Sequence, residues 1–167
     1  MRITQAARVT LAVVMAATTI LGTAGAASAG APVARLRQGD RVLDREAPYT
    51  YCWSGDGVGE CGDGFPRYGR AKKVVVDRRI RIRFGYRRKP ERLRITAYPR
   101  LDEHGNTDGR PRRLDRRLRP VYRDGEIRAW DAVFRVHRER HFYLDVGGFW
   151  DRGDAFYAFH LKGVAAP

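Results

Sequence analysis

Arg79, Arg81 and Arg83 stand at alternate positions of a stretch whose even positions are apolar: Val74, Val76, Ile80, Ile82 and Phe84. On an extended strand, alternate residues leave one face about 6.5–7 Å apart. That interval is near the phosphate repeat of a nucleic-acid strand, and a flexible polyanion can match it as well. A guanidinium offers a planar fork of N–H donors, which suits phosphate and carboxylate groups. Arg87, Arg88 and Lys89 carry the charge into the following turn, and Arg110, Arg112, Arg113, Arg116, Arg117 and Arg119 form a second cluster. The expected polyanion-binding residues are therefore Arg79, Arg81, Arg83, Arg112, Arg113, Arg116 and Arg117. The competing explanation is a solvated strand face, partly neutralised by acidic residues on neighbouring strands. Strand order decides whether the two clusters share a surface.

Other chemistry finds less support. Beyond residue 29 the only serine is Ser54, and no Gly-x-Ser-x-Gly turn surrounds it. His137 and His141 are four apart, a spacing that grips zinc on a helix. The glutamate between them, Glu139, is misplaced for that motif, and three arginines lie close by, so a hairpin turn is expected instead. Asp56, Glu60 and Asp63, and the stretch 102–109, are acidic and glycine-bearing. Neither follows the spacing of a calcium loop, so both are read as turns. Arg152-Gly153-Asp154 is expected to be a turn between strands, with glycine chosen for its φ. Trp53, Trp130, Phe149 and Trp150 could stack on a sugar or a base, but large side chains filling a core are the expectation. No enzymatic constellation emerges, and neither a cofactor nor a metal is expected.

The scaffold that must position the arginines begins with a processing signal. Residues 1–29 combine Arg2 and Arg8 with an apolar run from Val9 to Leu21 and the small-x-small sequence Ala27-Ser28-Ala29. This pattern predicts a secretory signal peptide, leaving a single secreted domain over residues 30–167 with no stable membrane insertion after cleavage. In an oxidising compartment the chain's two cysteines, Cys52 and Cys61, have only each other as partners. Their bond would close a glycine-rich loop beside Trp53 and contribute roughly 2–3 kcal/mol by the loop-entropy argument. Of the 167 residues, Lys and Arg number 33 against 19 Asp and Glu, a formal net charge of +14. Arginine outnumbers lysine 29 to 4, as a GC-rich coding bias would favour, but such a bias does not explain the excess over acids. An anionic partner or an anionic surface would account for that excess.

Strand-like alternation recurs along the chain. One short strand is expected over residues 33–36, followed by a turn at Gly39-Asp40. Tyr49, Tyr51 and Trp53 alternate with Thr50 and Cys52. The close-set glycines after Ser54 predict irregular structure over residues 54–66. A strand region over residues 72–86 carries a bend or bulge near Asp77, where Val75 and Arg78 break the alternation. Leu93, Ile95 and Ala97 resume it. Residues 99–120 read as a long polar connection, after which strands return over residues 128–136, 142–150 and 155–161. With almost no helical periodicity, the expectation is an all-β antiparallel sandwich.

Tyr51-Cys52-Trp53 with a second cysteine after it, an Ile-rich strand, Phe149-Trp150 and a closing Tyr157-Ala158-Phe159 resemble a group of small secreted or lipoprotein domains of Gram-positive bacteria. The resemblance runs from Tyr49 to Leu161. It implies an immunoglobulin-like sandwich with the cysteines bonded, and it implies no chemistry. The arginine-rich stretch 109–119 and the lack of a lipid-anchor cysteine depart from that pattern. The functional expectation is a non-enzymatic extracellular module that binds an anionic cell-envelope polymer or extracellular nucleic acid. The alternative is a protein-interaction or inhibitor-like domain that uses the Cys52–Cys61 loop, since a pinned loop loses less entropy on binding.

Overall fold

The computed structural model of the chain describes residues 30–55 and 58–166. The expected signal peptide and Asp56-Gly57, including the acidic candidate Asp56, lie outside the described residues. The first seven strands are β1 (Ala34–Gln38), β2 (Arg41–Glu46), β3 (Thr50–Gly55), β4 (Val58–Gly62), β5 (Lys72–Val75), β6 (Ile80–Phe84) and β7 (Arg92–Tyr98). Then follow β8 (Arg100–Leu101), β9 (Thr107–Asp108), β10 (Arg112–Arg113), β11 (Arg117–Arg123), β12 (Glu126–Phe134), β13 (His141–Trp150) and β14 (Gly153–Val164). Among the described residues there is no helix, and none that is long and apolar enough to cross a membrane.

Two sheets enclose the core. The first runs β11-β12-β6-β1-β2, with every neighbouring pair antiparallel. The second runs β10-β7-β13-β14-β3-β4, also antiparallel, with β5 lying parallel to the far end of β14. A small hairpin, β8-β9, stands apart. The all-β antiparallel reading and the single Cys52–Cys61 bond are what the structure has. The bond joins directly opposed residues of β3 and β4, neighbours in one sheet, and does not bridge the two layers.

The alternation in the sequence becomes the division between inside and outside. Ile80, Ile82 and Phe84 of β6 are fully buried, as are Ala34 and Leu36 of β1. From the facing sheet come Ile95, Leu144, Val146, Tyr157 and Leu161, also buried. At one end of this core Trp150 meets Phe84 and Trp53 edge-on, each with ring centres 5.6 Å away. Such edge-to-face pairs add about 0.5–1.5 kcal/mol beyond the area they bury. Trp53 and Trp150 are thus core residues, 3% and 5% exposed, and no stacking platform.

Three stretches differ from the sequence reading. Residues 33–46 hold two strands, β1 and β2, joined by the expected Gly39-Asp40 turn. Residues 54–66 are not wholly irregular, because β4 pairs with β3 through backbone groups that need no apolar side chains. The supposed connection 99–120 contains β8, β9, β10 and the start of β11. Pro120 sits inside β11, an edge strand where the missing N–H costs little. The expected break near Asp77 is larger than a bulge. Asp77 has φ 59°, and its N–H donates to Val136 O at 2.8 Å. An aspartate tolerates this left-handed backbone better than most residues. Here the chain leaves β5 in the second sheet and enters β6 in the first.

Candidate functional site

Two crossings between the sheets bring the arginine clusters together. The first is the Asp77 bend, which puts Arg79 at the entry to β6 and not on the strand itself. The second is the step from β10, on the edge of one sheet, to β11, on the edge of the other. Leu114 anchors that step. Its side chain is buried, and its N–H donates to Ile95 O at 2.9 Å. The arginine pairs Arg112-Arg113 and Arg116-Arg117 flank this buried residue, and all four line one concavity.

The result is a cleft of about 520 Å³. Arg79, Arg112, Arg113, Arg116, Arg117 and Arg119 line it from the two crossings, and Arg135, Arg138 and Arg140 close it from the β12-β13 connection. Its floor is the buried edge of the core, including Leu114, Phe134, Val136 and Phe142. One carboxylate, Asp115, lines it as well. Among the described residues none of these nine guanidiniums has a carboxylate within 4.0 Å. Arg116 is tethered, donating to Leu93 O, and Arg140 lies over the Phe142 ring at 5.1 Å.

Arg81 and Arg83 lie on the outer face of the first sheet and do not line the cleft. Arg83 makes a two-pronged pair with Asp131 of β12, from Nε to Oδ1 at 2.8 Å and from Nη2 to Oδ2 at 3.0 Å. Asp131 is 4% exposed, the only polar residue buried among those described. Its hydrogen bond raises the Arg83 pKa still further, so the guanidinium stays charged. Arg81 donates to Gly39 O and stands 3.8 Å from Asp40. Of the seven arginines expected to bind a polyanion, Arg79, Arg112, Arg113 and Arg117 are untethered in the cleft, whereas Arg81, Arg83 and Arg116 also hold the fold.

Strand pairing adds arginines that no single stretch of sequence places with the others. Across the first sheet the register aligns Arg119, Asp131, Arg83, Arg35 and Arg45 in one row. The next row is Arg117, Val133, Arg81, Arg37 and Val42. Neighbouring strands lie about 4.8 Å apart, so the rows are close-packed lines of positive charge. The signal for Arg35 and Arg37 was their alternation with Ala34 and Leu36, and Arg45, between Asp44 and Glu46, carried none. The alternation carries no information about which strands they would lie beside.

The remaining motifs resolve into structure. His137 pairs with Asp77 at 2.5 Å, while His141 faces His160 at 2.8 Å, so the two histidines of the zinc-like spacing have separate partners. Asp102 accepts N–H groups of His104 and Asn106 and closes the β8-β9 hairpin, and these bonds lower its pKa. Glu60 accepts from the Tyr51 hydroxyl and Asp63 from the Thr50 hydroxyl, so both brace the cysteine hairpin. Gly153 has φ 141°, and a Cβ there would stand 1.9 Å from Cys52 O, so this turn requires glycine. No protein-family model, curated protein sequence or solved structure matches the chain.

Proposed function

We propose that this protein is a non-enzymatic extracellular module that binds an anionic polymer of the cell envelope in the arginine cleft. The observation that carries this reading is nine guanidiniums around one concavity with no carboxylate within 4.0 Å of any of them among the described residues. Like charges held this close repel one another, and a bound anion relieves that cost. The signal-like segment 1–29 and the disulfide support an extracellular location. So does the resemblance to secreted domains of Gram-positive bacteria with an immunoglobulin-like sandwich.

The test is binding of the secreted protein to isolated envelope polymer across a salt series. For a nucleic acid the slope of log K against log salt is about 0.7–0.9 per phosphate contact, and other polyanions follow the same counterion logic. A variant carrying R79Q, R112Q, R113Q and R117Q is expected to bind at least tenfold more weakly with a shallower slope. Binding that ignores both salt and these substitutions would overturn the proposal. It would favour the second reading, a protein contact made by the β3-β4 hairpin, whose Cys52 and Cys61 are both exposed and whose edge strand β4 is open to a partner.

A further inference from the structure

Three depressions on the protein surface run into one another. The cleft shares Arg79, Arg119 and Val133 with a groove on the outer face of the first sheet, which also holds Arg81, Arg83 and Asp131. That groove shares Arg83 with a third hollow, lined by Arg35 and Arg45 next to Pro32 and Gly85. The three follow the first register row from β11 across to β2. Building on the cleft reading above, we infer that the ligand is a linear polyanion without bases, laid across all five strands from the cleft to Arg35 and Arg45.

The geometry supports a linear chain over a compact anion. Four interstrand steps of about 4.8 Å make a track of roughly 19 Å beyond the cleft. At one charge every ~3.4–7 Å, such a track meets about three to six charges of an extended polymer. Asp131 makes the middle of the track usable. It occupies two donors of Arg83 and fixes the side chain, leaving Nη1 without a protein partner among the described residues. Arg35 and Arg45 are exposed and have no side-chain partner among the described residues.

The absence of bases follows from the lining. Single-stranded nucleic acids are held largely by stacking on exposed aromatic rings, worth about 1–3 kcal/mol per base. Neither register row contains an aromatic residue, and Phe134 and Phe142 in the cleft are 3% and 5% exposed. Phosphate and carboxylate polymers both fit this chemistry, so the probes separate them.

The experiment measures affinities of the secreted protein for tripolyphosphate, long-chain polyphosphate, polygalacturonate and single-stranded DNA at one ionic strength. Wild type and the variants R35Q/R45Q and R79Q/R117Q are compared. The long chains are expected to bind at least tenfold tighter than tripolyphosphate. R35Q/R45Q should weaken the long chains roughly three- to tenfold, the loss for about two charge contacts, and leave tripolyphosphate unchanged. R79Q/R117Q should weaken both. If R35Q/R45Q changes nothing while R79Q/R117Q still weakens binding, the track is wrong and the cleft stands. If single-stranded DNA binds far tighter than polyphosphate of comparable charge, the exclusion of bases is overturned. If no polyanion binds, both the track and the cleft reading fail.

Discussion

The two outer faces of this sandwich solve the problem of exposed polar groups in opposite ways. On the second sheet most of these groups find partners within the protein, the Tyr68 hydroxyl, buried without one, being the exception. Tyr49 donates to Asp145 Oδ1 at 2.9 Å, and Tyr143 stacks on His160 with ring centres 4.3 Å apart. Tyr68 meets Tyr143 edge-on at 5.4 Å, and His160 Nδ1 donates to Gly69 O at 3.0 Å. The connection between β4 and β5 is thereby tied down over that sheet. On the first sheet seven arginines share two rows with a single carboxylate, Asp131. A face whose groups mostly pair with one another explains itself by stability. One with an uncompensated excess of charge costs stability and points to something outside the protein.

That contrast can be broken most severely at its one exception. Replacing Asp131 by Asn removes the buried acid and leaves Arg83 among like charges. A loss of about 2–4 kcal/mol in urea unfolding is expected, the scale of a broken, largely buried pair. A loss near zero would mean that Asp131 does not hold the row together. Next in size is the staple on the second sheet. C52S/C61S should cost about 2–3 kcal/mol and leave polyanion affinity unchanged, because the two cysteines sit on β3 and β4 of the other sheet and line neither the cleft nor the groove beside it. Weakened polyanion binding in that variant would blur the distinction between the two faces.

The pH dependence belongs to the second sheet. Because His160 Nδ1 donates to Gly69 O, its Nε2 accepts from His141 Nδ1–H when His160 is neutral. Desolvation is the main cause that lowers the His160 pKa below its usual value of 6.5, with the His141 charge adding to it and the Gly69 bond opposing it. The unfolded chain then takes up the proton first as pH falls. This contribution to stability is present above about pH 6.5 and is lost as pH drops from there through the folded-state value. Thermal midpoints should decline over that range, and H160Q should flatten the decline. An unchanged profile in the variant would place the titration elsewhere. The smallest effect is expected from R35Q/R45Q, which should stay within about 0.5 kcal/mol of wild type and gain slightly at low salt.

How much of this was legible in the sequence depended on whether the signal was local. The alternation of Ile80, Ile82 and Phe84 marked β6 and its inner face, and the flaw near Asp77 marked the bend. The paired cysteines and the core tryptophans were legible from inventory and context. The strands β4, β8, β9 and β10 were not, since short stretches of Gly, Thr, Asp and Arg pair through backbone alone and leave no apolar period. Strand order was equally hidden. Arg79 and Arg117 are far apart in sequence, and only the two sheet crossings bring them to one cleft. Arg35 and Arg45 join them only because β1 lies beside β6 and β2 beside β1.

The most direct measurement of the central claim is the salt dependence of envelope-polymer binding, wild type against R79Q/R112Q/R113Q/R117Q, with unfolding free energies measured on the same samples. The arginine cleft predicts a steep slope in the wild type, a shallower slope and at least tenfold weaker binding in the variant, and stability that is unchanged or slightly raised. Equal slopes and equal affinities would contradict it and leave the arginines as a solvated surface without a ligand.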